Sequence, residues 1–242
     1  MKTTKITLIL LAFAGLVSCK KGGFFCYKEN GALVTETRDV SNFDEIDLSI
    51  QGNVFVTQGD HYELQVEASE NILEIIKTEV KGKTLVINKK KGKCISGNPT
   101  INYYVITPEL SELHISGSGD IYADGLINTN KMKMVISGSG NITLDSLETN
   151  NLEMHISGSG SMFVDGVDTM DSQSIHISGS GDVTTLNAPV NYCDVDISGS
   201  GSATVNVIQS LKVNISGSGD VIYIGTPAVT SKISGSGGVR PY

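Results

Sequence analysis

A chain of 242 residues with 39% apolar residues can bury a substantial core, and its formal net charge of −8 argues against nucleic acid or anionic lipid as a partner. Arg38 and Arg240 are its only arginines, and it has no tryptophan. That leaves little with which to clamp an anionic intermediate or to build an aromatic sugar platform.

The chain opens with Lys2 and Lys5 ahead of an apolar run from Ile6 to Val17, too short for a transmembrane helix. This predicts a signal peptide over residues 1–18. The run closes on Leu16-Val17-Ser18-Cys19, which resembles a bacterial lipobox. In that reading Cys19 becomes the acylated N-terminus and carries the membrane anchor, because each buried CH2 contributes about 0.8 kcal/mol. An ordinary secretory signal with a chance cysteine is the alternative. Lys20 and Lys21 follow where an aspartate would retain a lipoprotein in the inner membrane, so the outer membrane is expected, facing the periplasm or the cell surface. Residues 19–39 read as a tether that runs into the first ordered strand.

Residues 40–242 read as one β-solenoid domain, with degenerate coils or a cap over 40–109 and regular repeats over 110–242. In the first part Ile46, Leu48 and Ile50 alternate ahead of Gln51-Gly52-Asn53 and then Val54 and Val56. Leu64, Val66 and Ala68 form another strand, and Glu70 to Lys77 suits one or two helical turns. Lys89-Lys90-Lys91-Gly92-Lys93 reads as a solvated charged loop, with acidic glycans as an alternative partner.

From there Ile-Ser-Gly-Ser-Gly recurs at Ile115, Ile136, Ile156, Ile177, Ile197, Ile215 and Ile233, spaced 21, 20, 21, 20, 18 and 18 residues apart. A fixed period of this size marks a stacked-repeat architecture. Two residues before the Ile stand Leu113, Met134, Met154, Ile175, Val195 and Val213, then Ser231. Six residues after it stand Ile121, Ile142, Met162, Val183, Ala203 and Val221, then Val239. Gln173, four before its Ile, and Thr185, eight after its Ile, interrupt other apolar columns. Period-two alternation on both sides of a small-residue corner predicts an all-β parallel β-solenoid of about 20-residue coils, stacked about 4.8 Å apart. The chain ends soon after the last corner. Either Pro241 and Tyr242 blunt that edge, or a partner covers it as a homo-oligomer contact.

The lipobox, Phe43-Asp44-Glu45-Ile46, Gln51-Gly52-Asn53-Val54 and Leu113-His114-Ile115-Ser116-Gly117-Ser118-Gly119-Asp120 together resemble the putative auto-transporter adhesin, head GIN domain family of Bacteroidetes lipoproteins. The resemblance covers about residues 40–225. It implies a β-solenoid-like fold and an envelope location, and it transfers no catalytic residue and no cofactor.

Several polar features have both a structural and a functional reading. Asp124, Asp145 and Asp165 form a column followed by Gly125, Ser146 and Gly166, which suits exposed turns, with calcium as the alternative. Asp120, Asn141, Ser161, Asp182, Ser202 and Asp220 form a second polar column, read as structural spacing. His114, His155 and His176 share an outward position, which suits an exposed strand; adjacent His155 and His176 could hold a transition metal but lack a third ligand at matching spacing. Cys193 falls on an inward column, which leaves Cys26 with Cys94 as the one disulfide to propose. Ser146 and Thr169 lie in short triplets resembling a Bacteroidetes O-glycosylation motif. No catalytic constellation is visible, so a non-catalytic adhesin or binding scaffold for a glycan or an envelope or surface protein is expected. A purely structural envelope protein is the second reading and a β-helix carbohydrate-active enzyme the third.

Overall fold

The computed structural model describes residues 26–242. The N-terminal block holds β1 (Tyr27–Lys28), β2 (Leu33–Arg38), β3 (Glu45–Leu48), β4 (Asn53–Gln58), β5 (Glu63–Ser69), α1 (Glu70–Leu73), β6 (Ile76–Lys81), β7 (Thr84–Lys89), β8 (Ile95–Ser96) and β9 (Asn102–Thr107). The repeats supply β10 (Glu112–Ile115), β11 (Asp120–Asn128), β12 (Lys131–Ile136), β13 (Ile142–Glu148), β14 (Asn151–Ile156) and β15 (Met162–Gly166). They continue through β16 (Met170–Ile177), β17 (Val183–Ile197), β18 (Ala203–Gly217), β19 (Val221–Ile224), β20 (Ala228–Gly235) and β21 (Val239–Pro241).

These strands stack into a parallel β-solenoid, as the alternation demands. On one face the register runs Leu85, Ile46, Leu113, Met134, Met154, Ile175, Val195, Val213, Ser231. On the other it runs Tyr103, Val54, Ile121, Ile142, Met162, Val183, Ala203, Val221, Val239. All members of both columns are buried except Ser231 and Val239, which belong to the last coil. Side chains of the two facing columns meet and fill the interior.

The first coil in space is not the first in sequence. β7 and β9 form the end of the stack, and β3 and β4 lie between them and the repeats. β6 lies antiparallel on β7, while β5 lies antiparallel on β9 and carries β2 on its other side. The end strands thus turn out of the stack into an antiparallel cap, which keeps their open edges from templating other chains. The helix expected over Glu70 to Lys77 is one turn, Glu70–Leu73, after which the chain goes directly into β6.

The Ser-Gly corner is explained by contact distance. A Cβ built on Gly138 lies 1.9 Å from the Gly117 carbonyl oxygen, and one on Gly140 lies 1.7 Å from that of Gly119. The same clash recurs in every later coil, down to Gly237 against Gly219 at 2.0 Å. Among these corner glycines φ is positive only at Gly217 and Gly235, so most are needed for close approach and not for an unusual backbone angle. The serines between them keep the ladder continuous: the Ser137 N–H donates to the Ile115 carbonyl (2.8 Å) and the Ser139 N–H to that of Gly117 (3.2 Å). Their side chains point into solvent.

The column that follows the corner closes the turn with side-chain acceptors. The Asp120 carboxylate accepts the Asn141 N–H at 2.7 Å, and the Asn141 side-chain oxygen accepts the Ser161 N–H at 3.0 Å. Asp182 does the same for Ser202 (2.9 Å) and Asp220 for Gly238 (2.8 Å). Asp120, Asn141, Asp182 and Asp220 thus each cap a backbone donor of the next coil, which accounts for Asp and Asn there, while Ser161 and Ser202 receive such a cap through their own N–H.

Candidate functional site

An indentation lies on the face built from β12, β14, β16, β17 and β18. Two outward columns cross it: Lys131, Asn151, Ser172, Tyr192, Ser210, and beside it Lys133, Glu153, Ser174, Asp194, Lys212. In the middle coil both outward residues are serines, Ser172 and Ser174. Two short side chains between longer neighbours leave a groove of about 570 Å3. Its floor reaches Leu152, Gln173 and Cys193.

Each wall carries an internally neutralised ion pair. Lys131 Nζ lies 2.8 Å from Glu153 Oε2, and Lys212 Nζ lies 3.3 Å from Asp194 Oδ1. Glu153 also meets His155 Nε2 at 2.7 Å. The Lys131 ammonium and then the His155 ring hold the Glu153 carboxyl down at about 2. The groove therefore presents both signs of charge in balance, together with hydroxyl and amide groups.

Tyr192 forms the exposed aromatic part of the wall and is 54% accessible. Its hydroxyl donates to Gln209 Oε1 at 2.8 Å, and Gln209 Nε2 in turn donates to Asn191 Oδ1 at 3.1 Å. The ring is held in place before any ligand arrives. On the floor Ser172 Oγ donates to Asn151 Oδ1 at 2.7 Å. Such an arrangement can stack against an apolar ring face and exchange hydrogen bonds with hydroxyls around it.

The groove lies at positions five and three residues before each Ile, where the sequence pattern marks no site. The inward positions draw the eye, and these outward ones are too variable to announce themselves. A second aromatic feature, Tyr104, Phe55 and Tyr122, stacks on the opposite face with centroids 5.4 and 5.5 Å apart. Those rings turn their faces toward one another, which leaves mainly their edges outward.

The residues singled out in the sequence are dispersed. Asp124 and Asp145 lie at irregularities where two residues of one coil oppose one of the next, between Ala123 and Leu126 and between Leu144 and Leu147. Asp165 accepts a hydrogen bond from Asn187 Nδ2 at 3.1 Å. Among the described residues no group of three or more His, Cys, Asp or Glu side chains is arranged to hold a metal ion. His155 and His176 stack with centroids 4.8 Å apart, while Asp196 Oδ2 lies 3.2 Å from His176 and Asp47 Oδ1 lies 3.8 Å from His114. Cys26 and Cys94 are joined as a disulfide, and Cys193 is a free, buried thiol whose pKa burial pushes up to about 12. Ser146 is half-buried in β13 and Thr169 is exposed. Cys19 and the residues of the expected signal peptide lie outside the described residues.

The family model "putative auto-transporter adhesin, head GIN domain" matches residues 42–227. The chain belongs to this family. Among solved structures it is similar to a putative adhesin from Bacteroides fragilis, at 24% identity and TM-score 0.83, covering 89% of this chain and 100% of that one. A putative lipid binding protein from Parabacteroides distasonis is 27% identical with TM-score 0.73, covering 89% of this chain and 99% of that one. A putative adhesin from the same species is 24% identical with TM-score 0.68, again covering 89% of this chain and 99% of that one. No curated protein matches the chain.

Proposed function

We propose that this protein is a non-catalytic adhesin-type scaffold of the cell envelope that holds a glycan segment in the groove beside Tyr192. The observation that carries this reading is the Tyr192 ring, exposed yet fixed by Gln209, next to the Ser172–Ser174 notch. Preorganisation lowers the ordering cost of a weak site, and an anchored envelope protein present in many copies gains further strength by avidity. Both lysines of the groove are already paired with acids, so it favours neutral, hydroxyl-rich chains over strongly anionic ones.

In this reading Cys19 is acylated and residues 19–25 tether the body to the outer membrane; residues 26–39, expected as tether from the sequence, belong instead to the body, because β2 pairs with β5 and Cys26 is bonded to Cys94. Family membership supports the envelope location. The name of the Parabacteroides distasonis neighbour suggests a lipid ligand, but core side chains fill the interior of this solenoid and leave no room for an acyl chain there. Val229 and Ile233 continue inward columns yet are 40% and 43% exposed on β20, which favours a second copy of the chain against that edge. A mass that stays monomeric across the accessible concentration range would remove the self-association element.

The deciding experiment is a glycan array probed with the purified chain and with Tyr192→Ala. Retention on a subset of neutral glycans, reduced at least tenfold by the substitution, is the expected result. No retention on any glycan, or retention indifferent to Tyr192, sinks the assignment.

A further inference from the structure

The lysine loop Lys89-Lys90-Lys91-Gly92-Lys93 has a position that the overall charge conceals. It leaves β7 at the point where every later coil makes its Ser-Gly corner, so it heads the corner column at the end of the stack. Lys89 and Cys94 border a small hollow with Ser49 of the next coil and Ser118 of the one after. All four lysines are exposed, and none lies within ion-pair distance of an acid among the described residues.

The same loop is where the N-terminal segment is fastened to the fold. Cys26 is bonded to Cys94, one residue beyond Lys93. β1 pairs with β8 in parallel, Tyr27 against Ile95 and Lys28 against Ser96. The Tyr27 N–H donates to the Cys94 carbonyl at 2.8 Å. Lys93 Nζ donates to the Tyr27 hydroxyl at 2.8 Å and lies 5.0 Å from the centre of that ring. Lys28, also exposed, joins the four loop lysines. Cys19 precedes Cys26 by seven residues, a span of at most about 25 Å when fully extended.

We propose that this basic end of the solenoid docks on anionic phospholipid headgroups of the leaflet that holds the anchor. The inference rests on acylation of Cys19 for its source of proximity. Charge complementarity then sets the orientation. Without Lys2 and Lys5 of the expected signal peptide the formal charge of −8 becomes −10 over residues 19–242, and setting aside these five lysines leaves −15 on the rest, so an anionic surface attracts one end and repels the body. Several acyl chains on Cys19 supply the anchor, and a basic cluster beside it adds an orienting attraction to anionic headgroups. The disulfide and the β1–β8 pairing keep the cluster from drifting away from the point where the tether enters. The bulk charge argues against anionic lipid for the molecule as a whole; Glu29, Glu70 and Glu74 share this end, Glu74 beside Ile75 whose carbonyl accepts the Lys90 N–H at 2.8 Å, and against the five lysines they leave it at +2.

Two preparations separate this inference from the anchoring it rests on. The native full chain is floated with phosphatidylcholine vesicles, where only an acyl anchor can hold it. A chain beginning at Lys20, which carries neither the apolar run Ile6–Val17 nor an acyl group, is co-sedimented at low ionic strength with phosphatidylcholine vesicles and with vesicles containing phosphatidylglycerol. The expected result is binding to the phosphatidylglycerol vesicles alone, lost at high salt and weakened about tenfold or more by K90E/K91E. Equal behaviour on the two vesicle types, or indifference to K90E/K91E, overturns the docking surface whatever the flotation shows. Failure of the native chain to float overturns the anchor alone.

Discussion

Gln173 Nε2 donates to Thr185 Oγ1 across the solenoid interior at 3.1 Å, joining the two faces of a single coil. The two residues are 2% and 0% exposed. Each interrupts a column of mostly apolar side chains, and each is the other's partner, with the Cys193 thiol 3.6 Å from Gln173 Oε1. Removing one leaves a buried polar group unpaired, which costs about 1–3 kcal/mol, whereas replacing both with apolar groups of similar shape is nearly neutral. We therefore expect Gln173→Leu and Thr185→Val each to lower stability by that amount, and the double variant to recover most of it. Urea unfolding of the four proteins measures the coupling directly.

The glycine contacts predict a sharp contrast between neighbours. Gly140→Ala drives a Cβ into the Gly119 carbonyl and should cost at least about 2 kcal/mol through forced separation of coils. Ser139→Ala removes only an exposed hydroxyl and should stay within about 0.5 kcal/mol of the parent. Gly237→Ala, in the last coil, should be milder than Gly140→Ala because only one terminal coil has to move. Thermal unfolding of the three variants tests the order.

Acid should weaken the groove wall in a defined way. Glu153 has its pKa lowered from its ordinary 4.5 to about 2, first by Lys131 and then by His155. A depressed folded-state pKa contributes stability that is complete above the ordinary value and is lost as pH falls through the folded one. Glu153→Gln should therefore destabilise by about 1 kcal/mol near neutral pH, the pair being partly solvent-screened, and by almost nothing near pH 2. Denaturant unfolding of parent and variant from pH 2 to pH 7 shows whether the difference closes. Asp220 is lowered in the same direction by Arg240 and the Gly238 N–H, so its contribution fades over the acid range as well.

Opening the disulfide should be felt first at the basic loop. Cys26 and Cys94 are 68 residues apart, and losing a cross-link of that reach typically costs about 2–4 kcal/mol. With both cysteines replaced by serine, β1 keeps its two-residue pairing with β8, the Lys93 contact to Tyr27 and the Asn71 hydrogen bond to the Lys28 carbonyl, all of them non-covalent. We expect trypsin to cut between Lys89 and Lys93 much faster in that variant, while the repeats from Glu112 onward remain intact. Limited proteolysis read by mass spectrometry locates the cuts. Equal cutting rates in parent and variant would count against the bond as the restraint.

The repeats were readable because one physical constraint acts on each coil in turn. An inward position needs an apolar side chain and a corner contact needs glycine, so Ile156 and Gly158 announce their surroundings wherever they recur. The N-terminal block was less readable. Ile46 and Leu85 are stacked neighbours, but nothing in their local sequence states which of the two adjoins Leu113. Pairing order between distant strands depends on long-range packing, and periodicity carries no information about it. The groove was hidden for a third reason. Ser172 and Ser174 are unremarkable outward residues alone, and they matter only because Glu153 and Tyr192 in the adjoining coils are long.

The placement of β3 and β4 between the repeats and the β7–β9 coil has a consequence for how the chain can acquire its structure. A polypeptide emerging amino end first, from a ribosome or an export channel, delivers Glu45–Gln58 before either of the coils that flank it in space. Those strands have no parallel partner on one side until Thr84–Thr107 has followed, and none on the other until β10 and β11 arrive. Growth of the stack in order of synthesis is therefore ruled out at this end. The regular coils further on can add one after another, but only onto a foundation assembled out of turn.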